Sequence, residues 1–167
     1  MGYIPNAFTL VNLSFGVLAL LGIIHGEFTA AAIFILVAAC LDRMDGRVAR
    51  HLNVESELGK QLDSLADLVS FGVAPAVLVY TQVLDPSCAQ LVSAGVTVIF
   101  ILCGAFRLAR FNVLNIGTYF VGVPITLAGG LVGLFSLLSI YLPAPFYLIS
   151  LPMLSYLMVS NIKIPKL

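Results

Sequence analysis

The sequence predicts an all-α, polytopic membrane protein with six transmembrane helices and an active site facing the cytoplasm. Three observations predict it. Sixty per cent of the 167 residues are hydrophobic and only 10% are charged, where a soluble domain carries about 25% charge. Apolar runs long enough for bilayer-spanning helices, which need about 20 residues, recur with short polar punctuation between them. All eight Lys and Arg residues then fall on one side of a six-span arrangement, which the positive-inside rule makes the cytoplasmic side.

The spans are expected at 6–24, 29–50, 59–83, 88–112, 123–141 and 145–162, one membrane domain over 1–167. "HGEF", "DPS" and "LPAP" mark three tight turns, and "HLNVESEL" and the stretch around "NVLNIGTYF" mark the other two. Ser56 is placed to cap the third helix. Arg43, Arg47, Arg50 and Lys60 flank the second loop, Arg107 and Arg110 precede the fourth, and Lys163 and Lys166 follow the last helix. The first, third and fifth loops hold no Lys or Arg, so both termini are expected in the cytoplasm. No Lys or Arg precedes the first apolar run, which argues for a retained helix over a cleaved signal peptide.

Net charge is zero, which argues against a nucleic-acid partner. Cys40, Cys88 and Cys103 have no metal-ligand spacing, and two of them read as small buried hydrophobes. His25 and His51 read as surface residues, and Glu55 and Glu57 as solvated loop residues. Gly129 and Gly133, four apart, suggest a close helix contact within or between subunits. Pro75 is expected to kink the third helix.

The charge that does occur is concentrated. Five residues of "LDRMDGRVAR", Leu41 to Arg50, are charged. If the second helix enters the bilayer near Ala30, Asp42 lies about 18 Å along it. That leaves roughly 10 Å of a 30 Å core before the cytoplasm. Asp67, on the third helix, comes out roughly 10 Å deep by the same rise per residue. Asp42 and Asp45 are three apart and Asp63 and Asp67 four apart, so each pair shares a helix face. A short loop makes these helices antiparallel neighbours, able to bring four carboxylates into one cavity. Four unpaired anions there would repel. Two divalent cations neutralise them, and all-oxygen ligation suits Mg²⁺, Mn²⁺ or Ca²⁺. Such an ion pair suits displacement at phosphorus. The plainer reading pairs the acids with Arg43, Arg47, Arg50 and Lys60, but it does not require acids on two facing helices. Ionisable residues inside a membrane are functional candidates by default.

Taken together, Asp42-x-x-Asp45-Gly46-x-x-Ala49-Arg50, eight further residues, then Gly59-x-x-x-Asp63-x-x-x-Asp67 resembles the signature of the CDP-alcohol phosphotransferases. The segments "YIPNAFTLVNLSFG", "CGAFRLARFNV", "YFVGVPIT" and "SYLMVSNIKIPK" resemble the small bacterial and archaeal phosphatidylserine synthases within it. The resemblance implies transfer of the phosphatidyl group from CDP-diacylglycerol to L-serine, giving phosphatidylserine and CMP, in a membrane homodimer of prokaryotic origin. It implies two divalent metals, Mg²⁺ or Mn²⁺ with Ca²⁺ as another occupant, held by Asp42, Asp45, Asp63 and Asp67. It makes Asp67 the general base. It places Pro5, Asn6, Thr9, Asp42, Asp45, Gly46, Ala49, Arg50, Gly59 and Asp63 around CDP-diacylglycerol.

Serine brings a carboxylate, and few cations remain to meet it. Arg107 and Arg110, three apart at the cytoplasmic end of the fourth helix, are the candidates, at least one of them meeting the serine carboxylate or a substrate phosphate; the alternative is snorkelling to lipid headgroups. Asn112, Thr118 and Thr126 are weaker polar candidates, and Gly122 and Pro124 either shape the pocket or start a helix. Rival functions are transfer to glycerol 3-phosphate, inositol phosphate or an archaeal ether lipid. More distant ones are a divalent-metal transporter and a lipid-binding scaffold.

Overall fold

The computed structural model describes the backbone of residues 3–52, 57–85, 89–114, 119–161 and 163–165, and side chains within 7–43, 57–85, 89–113 and 122–161. Six helices run through the described residues: α1 (Tyr3–Ile24), α2 (Phe28–Leu52), α3 (Glu57–Leu84), α4 (Gln90–Leu114), α5 (Ile125–Leu137) and α6 (Ala144–Val159). Each lies close to its expected span. Of these, α1 from Ala7, α3 and α4 to Val113 are long and apolar enough to cross a membrane, while α5 and α6 are shorter apolar helices.

The helical class holds, with one addition. Tyr119–Val121 (β1) and Lys163–Pro165 (β2) form a short antiparallel ladder, Phe120 opposite Ile164. The apolar pattern predicts a last span reaching residue 162, but α6 ends at Val159, with Ser160 extended at its C-terminus.

The α1–α2 turn shows why "HGEF" stops a helix. Gly26 takes φ 76°, a left-handed conformation open to glycine. Its N–H bonds to Ile23 O (3.0 Å) and that of Glu27 to Gly22 O (2.8 Å), the paired bonds that satisfy a helix's last carbonyls. His25, in this turn, is exposed.

Small residues let the helices approach, as membrane helices require. Ala19, Ala31, Ala32 and Ala38 are buried between α1, α2 and their neighbours. Helix α5 runs antiparallel to α2: a Cβ on Gly130 would meet Ala39 at 3.8 Å, and one on Gly133 would meet Ile35 at 3.1 Å. Gly129 faces α3, where a Cβ would collide with the backbone carbonyl of Phe71. The Gly129/Gly133 pair is therefore an intrachain contact to two different helices.

Helix α3 is not uniform. Glu57–Asp67 and Ala74–Val79 are α-helical, and Leu68–Val73 and Tyr80–Leu84 are wider π-helical turns. Pro75 sits in the first turn of the second α-helical stretch. The chain continues through it, the irregularity lying just before the proline, at the π turn.

Two smaller expectations are corrected. Cys40 is exposed and Cys103 half-buried, both as free thiols, because Cys40 falls on the outward face of α2. Glu57 is solvated but belongs to α3, pairing with Lys60 at 3.4 Å. Cys88, His51, Glu55 and Ser56 lie outside the residues with described side chains.

Candidate active site at the acidic ends of α2 and α3

The register of α5 against α2 decides where Asp42 points. Gly133 lies against Ile35 and Gly130 against Ala39, so the next step along the antiparallel pair brings Thr126 to Asp42. Thr126 Oγ1 donates to Asp42 Oδ2 at 3.0 Å. Asp42 is half-buried.

On α3, Asp63 is exposed and Asp67 buried, one turn deeper. Helix α1 runs alongside. Asn12, fully buried, donates from Nδ2 to Asp67 Oδ1 at 3.3 Å. Ser70 Oγ donates to the backbone carbonyl of Asn12 at 3.1 Å.

Asp42, Asp63 and Asp67 thus converge: one carboxylate oxygen from each lies within 4.8 Å of the others. The sequence predicts acids on two facing helices, and the structure brings three of the four together. Three hard oxygen donors at this spacing can hold a divalent cation such as Mg²⁺ or Mn²⁺. Asp45, Gly46, Ala49 and Arg50 are on the α2 backbone, and Pro5 and Asn6 on that of α1, but their side chains lie outside the described residues. Thr9 is buried on α1, one turn before Asn12, and Gly59 is half-buried, one turn before Asp63.

The two arginines of α4 have different surroundings. Arg107 is 7% exposed, and its charge acts on Asp67. Its Nε has no hydrogen-bond partner among the described residues. Arg110 is already engaged: Nη1 donates to Val159 O (2.9 Å) and Asn161 Oδ1 (3.3 Å), and Nη2 to Ser160 O (3.3 Å). It satisfies carbonyls at the C-terminus of α6 that have no intrahelical donor. Of the two candidates for an anion contact, Arg110 is thus bonded to α6, whereas Arg107 has an Nε without a hydrogen-bond partner among the described residues. Asn112 is likewise committed, donating to Ser64 Oγ at 3.0 Å and Gln61 Oε1 at 3.4 Å, which ties α4 to α3. Gly122 adopts φ 77°, and a Cβ on it would collide with Met158 O. Pro124 then precedes the first residue of α5, so "YFVGVP" packs at Gly122 against α6 and leads into the helix carrying Thr126. Thr118 lies outside the described residues.

Sequence reading misses Asn12. Its signal is a lone carboxamide within an apolar run, and such a group needs a partner when buried. The sequence marks Thr126 as a candidate substrate contact; the structure makes it a donor to Asp42.

A family model for CDP-alcohol phosphatidyltransferase matches residues 2–162. The chain belongs to the CDP-alcohol phosphatidyltransferase family. Named relatives of this family member cover nearly its whole length. A protein of Bacillus subtilis called CDP-diacylglycerol–serine O-phosphatidyltransferase is 38% identical over 99% of this chain and 91% of its own. One of Methanocaldococcus jannaschii with the same name is 41% identical over 98% of this chain and 74% of its own. An archaetidylserine synthase of Methanothermobacter thermautotrophicus is 38% identical over 98% and 70%.

Proposed function

We propose that this phosphatidyltransferase moves the phosphatidyl group of CDP-diacylglycerol to the hydroxyl of L-serine, giving phosphatidylserine and CMP. The observation that carries the reading is the convergence of Asp42, Asp63 and Asp67 in a chain whose full-length relatives bear that activity's name. The working molecule is a multi-pass membrane homodimer of one domain, 1–167, with six spans, both termini and the acidic site toward the cytoplasm. That depth serves both substrate classes, since the lipid tails stay in the bilayer while serine and CMP are water-soluble.

Asp42, Asp45, Asp63 and Asp67 would hold two divalent cations, Mg²⁺ or Mn²⁺, which supply charge neutralisation at the pyrophosphate. The remaining work belongs to the chain. Serine's hydroxyl oxygen forms a bond to the lipid-bearing phosphorus as the phosphorus–oxygen bond to CMP breaks. Asp67 takes the hydroxyl proton during that attack, because serine is a poor nucleophile at neutral pH. Arg50 gives the phosphates a bidentate contact. Gly46, Ala49 and Gly59 leave room for the nucleotide beside the acids, and Pro5, Asn6 and Thr9 border it on α1. Arg107, buried and with no hydrogen-bond partner for its Nε among the described residues, receives the serine carboxylate. Arg110, held by α6, orders the wall.

A second reading concerns only the lipid. The similarity to an archaetidylserine synthase supports an archaeal CDP-activated lipid as donor with serine still the acceptor.

The test is CMP release by the purified chain from CDP-diacylglycerol or its archaeal counterpart, with Mn²⁺ or Mg²⁺ and a panel of alcohols. Serine should support release, chelator should abolish it, and Asp42→Asn should lower it at least about 100-fold. Release driven by glycerol 3-phosphate in place of serine would reassign the acceptor. Near wild-type release by Asp42→Asn in chelator would remove the metal-assisted mechanism.

A further inference from the structure

We infer that Asn12 is a positioning residue for the reaction: it holds one oxygen of Asp67 so that the other faces the incoming hydroxyl. The inference rests on the base role proposed for Asp67. Its geometry is independent of which alcohol is used.

Helix α1 meets α3 at a glycine. Gly16 has no side chain, and a Cβ there would come within 2.9 Å of the Ser70 backbone. The two helices therefore approach closely at this layer, and Ser70 Oγ reaches the carbonyl of Asn12. Asn12 lies one helical turn before Gly16, and Asp67 three residues before Ser70. With α1 and α3 running in the same direction, the carboxamide falls beside the carboxylate and donates to Oδ1. The bond is fully buried on the Asn12 side, so water does not compete for it.

Chemistry favours a neutral donor here. An amide fixes orientation with little charge. Asn12 Oδ1 has no hydrogen-bond partner among the described residues. A buried carboxamide that leaves an acceptor unsatisfied is a poor stabilising device, so folding alone does not account for Asn12. Ser70 fixes its backbone and Asp67 receives its side chain, which is the pattern expected of a group that orients another group.

A double-mutant cycle tests this, with wild type, Asn12→Ala, Asp67→Asn and the double variant, each as purified full-length chain. It is run with whichever alcohol supports CMP release. Asn12→Ala should lower kcat by about 10- to 100-fold, the range for residues that orient a reactive group, with KM for CDP-diacylglycerol and for the alcohol within about threefold. In the Asp67→Asn background the same change should slow turnover by no more than about twofold, since residues acting as one unit are not additive. Multiplicative losses, or a raised KM for the nucleotide with kcat unchanged, would overturn the inference. Should Asn12→Ala not fold, Asn12→Ser, which keeps a small donor, should exceed Asn12→Asp, which keeps the shape without the amide N–H; wild-type turnover by Asn12→Asp would overturn it as well. Failure of serine while another alcohol works would sink the acceptor assignment and leave this inference standing. An additive cycle in a serine-using enzyme would do the reverse.

Discussion

Arg107 and Arg110 are three residues apart on one helix and of one type, yet they do different things. Arg110 donates to the Val159 and Ser160 carbonyls, whereas Arg107 is buried and its Nε has no hydrogen-bond partner among the described residues. A buried guanidinium with a spare N–H suits a carboxylate, which accepts two parallel bonds from it. Arg107→Ala is expected to raise KM for serine at least about tenfold, the worth of one charge-assisted bond, and more than it raises KM for CDP-diacylglycerol. Arg110→Ala should leave both KM values near wild type and instead lower thermal stability by about 1.5–3 kcal/mol. Steady-state kinetics and a melt in detergent separate the two. Equal effects of both changes on KM for serine would return Arg110 to the substrate. At this scale the acids were legible because spacing alone puts Asp42 with Asp45 and Asp63 with Asp67 on shared faces. Asn12 was not, because its partner is 55 residues away and no local pattern joins them. The commitment of Arg110 was hidden for the same reason: its acceptors are backbone carbonyls on α6.

Helices interlock here through absent side chains. Gly129 sits where α5 crosses the Phe71 backbone, whereas a Cβ added to Gly95 would meet nothing within 4 Å. Gly129→Leu should therefore force α5 off α3, with a loss of about 1–3 kcal/mol or more, and pull Thr126 from Asp42. Gly95→Leu should be tolerated, since the space beside it is open. Melting temperature and CMP release of the two variants check this, and a fully active, wild-type-stable Gly129→Leu would contradict the packing. The helix boundaries were readable from apolar runs and from Gly26. The π turns of α3 were not, since Leu68–Val73 has an ordinary apolar sequence with no local signal for the widening. The proline at 75 was a visible clue to irregularity, though it marks the turn's end and not a break.

The surface of the whole molecule is apolar along its helices. Leu91, Leu102 and Ile149 are exposed, as suits side chains facing lipid tails. The proposed topology puts the α1–α2 turn outside and the start of α3 inside. In vesicles of known orientation, Glu27→Cys should react with a membrane-impermeant maleimide added outside, and Glu57→Cys only when the reagent reaches the cytoplasmic side. The native Cys40, Cys88 and Cys103 are replaced by Ala beforehand. Labelling of both positions from the same side would require an odd number of crossings between them to be abandoned. The order in which the parts are synthesised adds a last consequence. Asp42, Asp63 and Asp67 leave the ribosome before Thr126, as chains emerge from the N-terminus. The start of α5, which carries Thr126 to Asp42, is pinned by Val123 N–H to Leu157 O and by the pairing of β1 with β2. Those partners come from residues 157–165. The acids are thus made before the contacts that fasten Thr126 beside them, so a product that stops short of residues 157–165 carries the charges without those contacts.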